Sequence, residues 1–461
     1  MESSKMDDKQ LNVGLVCSGG IYDEVVKEVL NHQGIFSKEI DGSTSKRLKF
    51  PCVILVHPTD KAHRLANEHC ESDDNVIVVG EEIPLDVILK ALGGTLDDSS
   101  VDPLDPRVNK LEVELFTKIK EKFFSLNLPI VRKWFWPGFS KACCVLTHDI
   151  DWLYYSPWHL AVIKNKSIPQ LMKLAYQSFI HRKNYGNNIK EIILKERKRN
   201  VSSSFFFLTK YEGYHEEFIQ SLKMLQEEKF EIGLHGSLSS HKNADLLKKE
   251  RRKLEEYADV NVKGVRQHEL SFLTPLTWKY QEEAGFAYDL TFSHNDKFGF
   301  RSHVCFPYHP IDIIENKKLS LFEIATAFMD WTAFHRKMNY DESLEIITKL
   351  EGVVEEFNGC LVMNFHNTYQ NRETFPAMEK LYSDILDDVK RRNYWVTMAD
   401  ECCSWWQMRE GARAEIVTKN GLIKGKTSMY PLPVVIEKTE GDKMYAEIRE
   451  AKFKVNLTKK Y

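Results

Sequence analysis

The sequence predicts an α/β protein whose central part, residues 141–406, is a barrel of parallel β-strands. Short apolar segments alternate there with helical segments about seven times. Almost every apolar segment ends on His, Asp or Arg. Parallel strands that close into a barrel bring their carboxyl ends onto one rim, where the functional sites of such proteins lie. Polar residues repeated at one end of the strands therefore indicate a site on that rim rather than core packing.

Residues 1–105 predict a separate, small doubly wound α/β domain of the Rossmann or flavodoxin type. Apolar strands are expected from residue 11, at 52–56 and at 75–79, with helices at 22–31 and 61–71 between them. The turn Ser18-Gly19-Gly20 follows the first strand but lacks the GxGxxG spacing and the later acidic partner of a dinucleotide site. A packing or recognition role is therefore favoured over nucleotide binding.

Residues 106–140 predict a helical connector, entered through a linker at 93–106 that is rich in Gly, Asp, Ser and Pro. The barrel strands are then expected at 142–146, 204–208, 231–234, 262–265, 286–290, 321–324, 360–364 and 394–398. Helices are expected between them at 216–228, 244–257, 275–284 and 378–392.

Two further segments complete the predicted architecture. A basic insertion at 156–199 has helical periodicity, and a packed helical hairpin is favoured there over a lid. Residues 407–461 contain several segments of alternating apolar and polar residues, and the pair Asn420-Gly421 is a strong hairpin signal. The chain is therefore expected to end in a small antiparallel β module.

Composition excludes several classes of function. The net charge of −3 and the pI near 6.6 argue against nucleic acid as the main partner, because phosphate binding needs a basic excess. The N-terminus lacks a signal-peptide pattern, and no stretch is apolar enough for a membrane span, so a cytoplasmic location is expected. The nine cysteines include no CxxC and are expected to be buried thiols rather than disulfides or a zinc site.

Six side chains at the predicted rim could form a metal-dependent hydrolytic site. They are Asp149, Asp151, His235, His241, His268 and His366. One carboxylate and two imidazoles can hold a divalent cation and leave positions open for water. A second carboxylate could then act as a base, and a separate histidine could protonate the leaving group. Three further histidines, His148, His294 and His303, are expected to be structural.

The order of short motifs in this region resembles that of the polysaccharide deacetylases, the NodB-homology carbohydrate esterases of family 4. The motifs are THDID, GLHGS, GVRQHEL, YDLTF with GFR, and LVMNFHNTY, and they span about residues 141–406. The resemblance implies a distorted (β/α)7 barrel. It also implies metal-dependent removal of an acetyl group from an N-acetylated or O-acetylated sugar.

The resemblance also implies roles for individual residues. Asp149 would be the general base, paired with Arg266, and Asp151 and His235 would bind the metal. His366 would be the catalytic acid. Asp289 would orient it, and Arg301 of the GFR motif would contact the substrate. Separately, Trp152 and Tyr369 are expected near the rim, where they could stack on a sugar ring, and core packing stays open for both.

One position departs from the family pattern. The second metal histidine usually stands four residues after the first, where this chain has Ser239. Either His268 or His241 could supply the missing nitrogen, and His268 is favoured because it ends a rim strand. The expected cofactor is one divalent ion, zinc first, with cobalt, manganese and nickel left open.

The predicted function is therefore a cytoplasmic deacetylase acting on an acetylated sugar or a glycan precursor. Two alternatives stay open. One is an amide hydrolase with a non-sugar substrate. The other is a non-catalytic glycan-binding or scaffold protein, which the serine at position 239 favours. The sequence leaves the oligomeric state open, and a homo-oligomer is compatible with it.

Overall fold

The computed structural model describes residues 8–96, 102–153, 184–209 and 215–457, together with Pro169, Met172 and Tyr176. Most of the predicted insertion at 156–199 and part of the predicted linker at 93–106 lie outside these residues. No helix in the described part of the chain combines the length and the apolar character that crossing a lipid bilayer requires.

The N-terminal region forms the expected doubly wound α/β unit. Its elements are β1 (Lys9–Gln10), β2 (Val13–Val16), α1 (Ile21–His32), β3 (Ser37–Glu39), β4 (Val53–Leu55), α2 (Asp60–His69), β5 (Val76–Val78) and α3 (Leu85–Leu92). The strands β3, β2, β4 and β5 lie side by side in that order and are all parallel. Strand β3 was not predicted, because its Ser-Lys-Glu sequence has no apolar pattern.

The turn before α1 is occupied by a side chain of the protein itself. Asp23 Oδ2 accepts hydrogen bonds from the backbone N–H groups of Ser18 at 2.9 Å and Gly20 at 3.1 Å, and from that of Gly19. Backbone amides at the start of a helix are the groups that would bind a phosphate. Here they already hold a carboxylate, which supports a packing role for this turn.

The connector contains helix α4 (Arg107–Ser125) and strand β6 (Ile130–Lys133), so it is not purely helical as expected. The barrel region follows with β7 (Cys143–Ile150), α5 (Ile189–Arg199), β8 (Ser204–Phe207), α6 (His215–Glu227), β9 (Glu231–Gly236), α7 (Ala244–Ala258), β10 (Gly264–Gln267), α8 (Leu276–Glu283), β11 (Tyr288–Asp289), β12 (Ile311–Asp312), β13 (Lys317–Lys318), β14 (Phe322–Glu323), β15 (Thr326–Met329), α9 (Asp330–His335), α10 (Tyr340–Phe357), β16 (Cys360–Asn364), α11 (Pro376–Arg391), β17 (Trp395–Thr397) and α12 (Ala399–Gly411).

The central sheet is parallel and closes on itself. Its strand order is β14-β11-β10-β9-β8-β7-β16-β15, and β17 pairs with the first residues of β7. Strands β14 and β15 form the two ends of this path, yet only Ile324 and Ala325 separate them in the chain. One chain segment therefore joins both ends of the sheet. When that segment is counted as a single strand, the barrel has the seven strands expected of a (β/α)7 barrel.

Strand β7 is longer than the predicted segment 142–146 because it pairs on both sides over different lengths. Residues 143–147 pair with β16, and residues 147–150 pair with β8. Alternation along the strand directs Thr147 and Asp149 into the barrel and His148 outwards. His148 Nδ1 lies 2.7 Å from the Phe365 carbonyl oxygen, and Nε2 lies 3.1 Å from Glu196 Oε1. These contacts fit the expected structural role of His148.

The chain ends in the expected antiparallel β module. Its strands are β18 (Ala414–Lys419), β19 (Leu422–Thr427), β20 (Leu432–Thr439), β21 (Asp442–Ile448) and β22 (Lys452–Asn456). Asn420 and Gly421, at φ of 50° and 72°, form the predicted hairpin turn between β18 and β19. Strand β1 of the N-terminal region pairs with β18, and β6 of the connector pairs with β20, so each of these two regions shares a sheet with the C-terminal module.

Candidate active site and metal centre

Four strands of the barrel bring three candidate metal ligands and the candidate catalytic acid together at one rim. Asp151 follows the end of β7, His235 is near the end of β9, His268 follows β10, and His366 follows β16. Parallel pairing places these strand ends at the same edge of the closed sheet. The rim site expected from the sequence is therefore present as one cluster of side chains.

Three of these side chains form a compact triangle of potential ligand atoms. Asp151 Oδ1 lies 3.1 Å from His235 Nε2 and 3.3 Å from His268 Nδ1, and the two nitrogens are 3.0 Å apart. In a tetrahedral zinc site with ligands at about 2.0–2.1 Å, neighbouring ligand atoms lie about 3.3–3.4 Å apart. The triangle therefore has nearly the dimensions of one face of such a site.

The tautomer of His235 also fits metal binding. Its Nδ1 lies 2.9 Å from the backbone carbonyl oxygen of Arg266, which can only accept a hydrogen bond. The proton of a neutral imidazole therefore resides on Nδ1, and the lone pair of Nε2 points into the triangle. A metal-binding histidine is commonly oriented by this kind of contact from its other ring nitrogen.

Burial and charge point to the same conclusion. Asp151 Oδ1 is buried, and no described residue donates a hydrogen bond to it in good geometry. Burial alone would raise the pKa of Asp151, but His235, His268 and His366 hold it well below its ordinary value. Burial alone would lower the pKa of His235, but Asp149 and Asp151 raise it. The donor set of one oxygen and two nitrogens, with an unsatisfied buried carboxylate oxygen, suits a divalent cation.

The second carboxylate of the site, Asp149, is held in a fixed and charged state. Its Oδ1 accepts a hydrogen bond of 2.8 Å from Arg266 Nη1, and its Oδ2 accepts one of 2.7 Å from Asn364 Nδ2. Arg266 Nη2 is held in turn by the hydroxyl groups of Thr147 and Thr326, both at 2.9 Å. Burial opposes ionisation of Asp149, but the Arg266 charge keeps its pKa below the ordinary value.

His366 is positioned by a carboxylate that the sequence did not indicate. Its Nδ1 lies 2.6 Å from Asp330 Oδ1, and its backbone N–H donates to Asp330 Oδ2 at 2.9 Å. On the other side of the ring, Nε2 faces Asp151 Oδ2 at 3.6 Å. Burial alone would lower the pKa of His366, but Asp330, and beyond it Asp151 and Asp149, raise it to about 9. The imidazole is therefore protonated at neutral pH.

The expected contact between Asp289 and His366 is replaced by the one from Asp330. Asp289 lies in β11, where its Oδ1 accepts from the backbone N–H of Thr291 at 3.0 Å. It forms a buried acid pair with Glu323 of the neighbouring strand β14. Burial raises the pKa of Asp289 to about 6. This pair is a structural element beside the site rather than a support for the histidine.

The two candidates for the third ligand occupy different places. His268 belongs to the triangle, whereas His241 lies in a short 3-10 helix, Ser240–Lys242, and its Nδ1 contacts the carbonyl oxygen of Leu238 at 2.9 Å. The residue at the family's usual position, Ser239, precedes that helix. The geometry therefore favours His268 as the third ligand.

This difference between the histidines gives a first prediction. Replacement of His268 by Ala should weaken the binding of a divalent cation strongly, because it removes one of three ligand atoms. Replacement of His241 by Ala should leave the affinity unchanged. Titration with Zn²⁺ by isothermal calorimetry would test both variants, and equal affinity of the two variants would contradict the assignment of His268.

The proposed substrate-binding residues differ in their surroundings. Trp152 follows Asp151 directly and is 51% exposed. The Tyr369 ring lies beside the His366 ring, with 5.9 Å between the centroids. Arg301 lies over the Phe292 ring at 4.2 Å and donates to the Ser293 carbonyl oxygen at 3.3 Å. Trp152 and Tyr369 therefore lie next to the cluster, whereas these two contacts of Arg301 are with residues outside it.

Two residues of the site were missed by sequence reasoning, although both carry a recognisable signal. Asp330 directly follows the buried strand β15, as Asp151 follows β7. Asn364 stands two residues before His366, near the end of β16. In each case a polar residue stands at the carboxyl end of an apolar strand, which is the pattern that revealed the other members.

The similarity of this chain to known proteins is confined to solved structures. No family model and no curated protein sequence matches it. A polysaccharide deacetylase from Mycobacterium smegmatis is 17% identical, with a TM-score of 0.43, and the match covers 60% of this chain and 93% of that one. The allantoinase PuuE is 13% identical, with a TM-score of 0.44 and the same coverage.

A carbohydrate esterase family 4 (CE4) pseudoenzyme from Bacillus anthracis also matches, at 14% identity and a TM-score of 0.32, over 57% of this chain and 65% of that chain. The solved structures to which this chain is similar thus include polysaccharide deacetylases and CE4-family members, at a low level of sequence identity.

Proposed function

We propose that this protein is a metal-dependent hydrolase that removes an acetyl group from an acetylated sugar or glycan precursor. The observation that carries the proposal is the arrangement of the rim. The triangle of Asp151, His235 and His268 lies at the same rim as a buried ionised carboxylate, Asp149, and a protonated imidazole, His366. A ligand set, a base and an acid in one cluster are what amide hydrolysis by a metal enzyme requires.

Each side chain has a distinct task in this reaction. Asp149 takes the proton of the water that attacks the acetyl carbonyl, and Arg266 keeps it ionised for that purpose. His366 donates its Nε2 proton to the departing amine nitrogen, so that the C–N bond breaks and the amino sugar leaves as a neutral amine. Asp330 holds the His366 ring in place. A divalent ion held by Asp151, His235 and His268 would supply Lewis-acid polarisation of the carbonyl group.

Acetate release is the direct test of the proposed function. The purified, zinc-loaded protein should release acetate from N-acetylglucosamine oligosaccharides or from an acetylated nucleotide sugar, and the same preparation treated with a chelator should not. A simple non-sugar amide serves as the comparison substrate. If only that amide is cleaved, the substrate class is wrong. If a zinc-loaded protein cleaves none of them but binds the oligosaccharides, the non-catalytic glycan-binding alternative is correct.

The contact between Asp330 and His366 predicts a specific pH dependence. Since the Asp330 carboxylate raises the pKa of His366, the acid form persists into alkaline solution and is lost as the pH rises through that pKa. Replacement of Asp330 by Asn should therefore move the alkaline limb of kcat/KM to lower pH. It should also lower kcat by about 10- to 100-fold, which is typical for loss of an orienting partner.

The matched control is Asp289→Asn, which neutralises a buried aspartate outside the cluster. The alkaline limb of the kcat/KM profile of Asp289→Asn should coincide with that of the wild type. A shift in Asp289→Asn without a shift in Asp330→Asn would show that Asp289 orients the histidine after all.

A further inference from the structure

A second cluster of ligand-type side chains lies at the opposite end of the barrel. The sulfur atoms of Cys143, Cys360 and Cys402 converge there, with Cys402 Sγ 3.8 Å from Cys143 Sγ and 3.9 Å from Cys360 Sγ. All three sulfur atoms lie within 4.8 Å of one another. We call these three residues the thiol triad. The proposed function makes no use of it.

The triad lies inside the barrel because of the alternation along two neighbouring strands. Cys143 of β7 is the register partner of Cys360 of β16. The next pair on the same face is Val145 with Val362, and the pair after that is Thr147 with Asn364. Asn364 contacts Asp149 in the rim site, so residues 360, 362 and 364 share the inward face. Helix α12 packs against β7 and contributes Cys402 to the cluster.

The shape and chemistry of the triad suit a soft metal ion. In a planar three-coordinate site with metal–sulfur distances of about 2.3 Å, the sulfur atoms lie about 4.0 Å apart, close to the two distances found here. No histidine, aspartate or glutamate of the described residues belongs to this group. Structural zinc sites almost always have four ligands, whereas thiolates without a fourth ligand suit Cu(I).

We propose that the thiol triad binds a thiophilic monovalent ion of the Cu(I) type with three sulfur ligands. The three sulfur atoms come from β7, β16 and α12, so a bound ion would link two neighbouring barrel strands to the helix that packs against β7. Coordination replaces thiol protons, which leave for the solvent, and no oxidation or reduction takes place.

The chain provides matched controls for this proposal. Cys144 and Cys403 are the immediate neighbours of triad members, both are buried, and neither belongs to the group. The comparison pairs are therefore Cys143→Ser with Cys144→Ser, and Cys402→Ser with Cys403→Ser. Two pairs on different elements keep the test informative if one variant does not fold, and circular dichroism of the metal-free proteins verifies folding.

The experiment is an anaerobic Cu(I) titration of the full-length protein against the chelator bathocuproine disulfonate. Wild type, Cys144→Ser and Cys403→Ser should retain one tightly bound equivalent and melt at a higher temperature when loaded. Folded Cys143→Ser and Cys402→Ser should lose both effects. X-ray absorption of the loaded wild type should show three sulfur ligands. Retention of the tight equivalent in the triad variants, nitrogen or oxygen ligands, or no tight binding to the wild type would overturn the proposal.

Discussion

Replacement of Asp149 by Asn is expected to lower kcat by about 10²- to 10⁴-fold, the usual contribution of a positioned general base. The variant keeps nearly the size and shape of the side chain but can no longer accept the proton of the attacking water. Asp151, His235 and His268 are unchanged, so the bound metal should stay and the KM should change little. Steady-state kinetics on zinc-loaded protein would measure the effect, with metal content determined on the same preparation.

A second outcome would separate catalysis from metal binding. If Asp149→Asn loses its metal as well as its activity, Asp149 belongs to the ligand set rather than acting as the base. If the variant keeps full activity, another group removes the proton, and the role assigned to Asp149 is wrong.

Replacement of Arg266 by Met should destabilise the protein by about 3–5 kcal/mol, the usual cost of breaking a buried ion pair on one side. Arg266 is completely buried, and its partner Asp149 would remain as an uncompensated charge inside the barrel. The double variant Arg266→Met/Asp149→Asn removes both charges and should recover part of this loss. Urea unfolding at neutral pH would measure the free energy of unfolding of the wild type and of both variants.

The sign of the pH dependence follows from the same contact. The Arg266 charge lowers the pKa of Asp149 in the folded protein, so the ion pair stabilises the fold at pH values above the ordinary aspartate range. This stabilisation is lost as the pH falls through the folded-state pKa. The difference between wild type and Arg266→Met should therefore shrink in acid. A difference that grows in acid, or a double variant no more stable than the single one, would contradict this account.

The barrel and most of its rim could be predicted because strand alternation and strand-end residues are local features of the sequence. The strand at 321–324 was predicted, but the adjoining β15 was not, because residues 321–329 form one nearly continuous apolar run. Only the pairing partners reveal that its first part belongs beside β11 and its second part beside β16. Asp330 was missed for that reason.

The exchange of Asp289 for Asp330 shows what a motif cannot supply. Both aspartates stand at or just after the end of a barrel strand, and both are buried. They differ in whether their own strand lies next to β16, the strand that His366 follows. Strand β15 pairs with β16, whereas β11 pairs with β10 and β14. Neighbouring positions in a closed sheet depend on strand order, and a short motif does not encode that order.

His268, the favoured candidate for the third ligand, lies beside His235 for a physical reason. His268 directly follows β10, which pairs with β9 and so lies next to His235. His241 is closer to His235 in sequence but belongs to the chain that leaves the rim. Proximity in the folded chain therefore follows strand pairing rather than sequence spacing.

The metal content of the purified protein tests the central claim most directly. Elemental analysis after loading with Zn²⁺ and removal of excess ion should give about one equivalent in the wild type, as expected of one three-residue site. Asp151→Asn should retain almost none, while His241→Ala should retain the wild-type amount. A wild type without metal, or an Asp151→Asn variant that binds as much as the wild type, would contradict the proposed metal centre and the hydrolase function that depends on it.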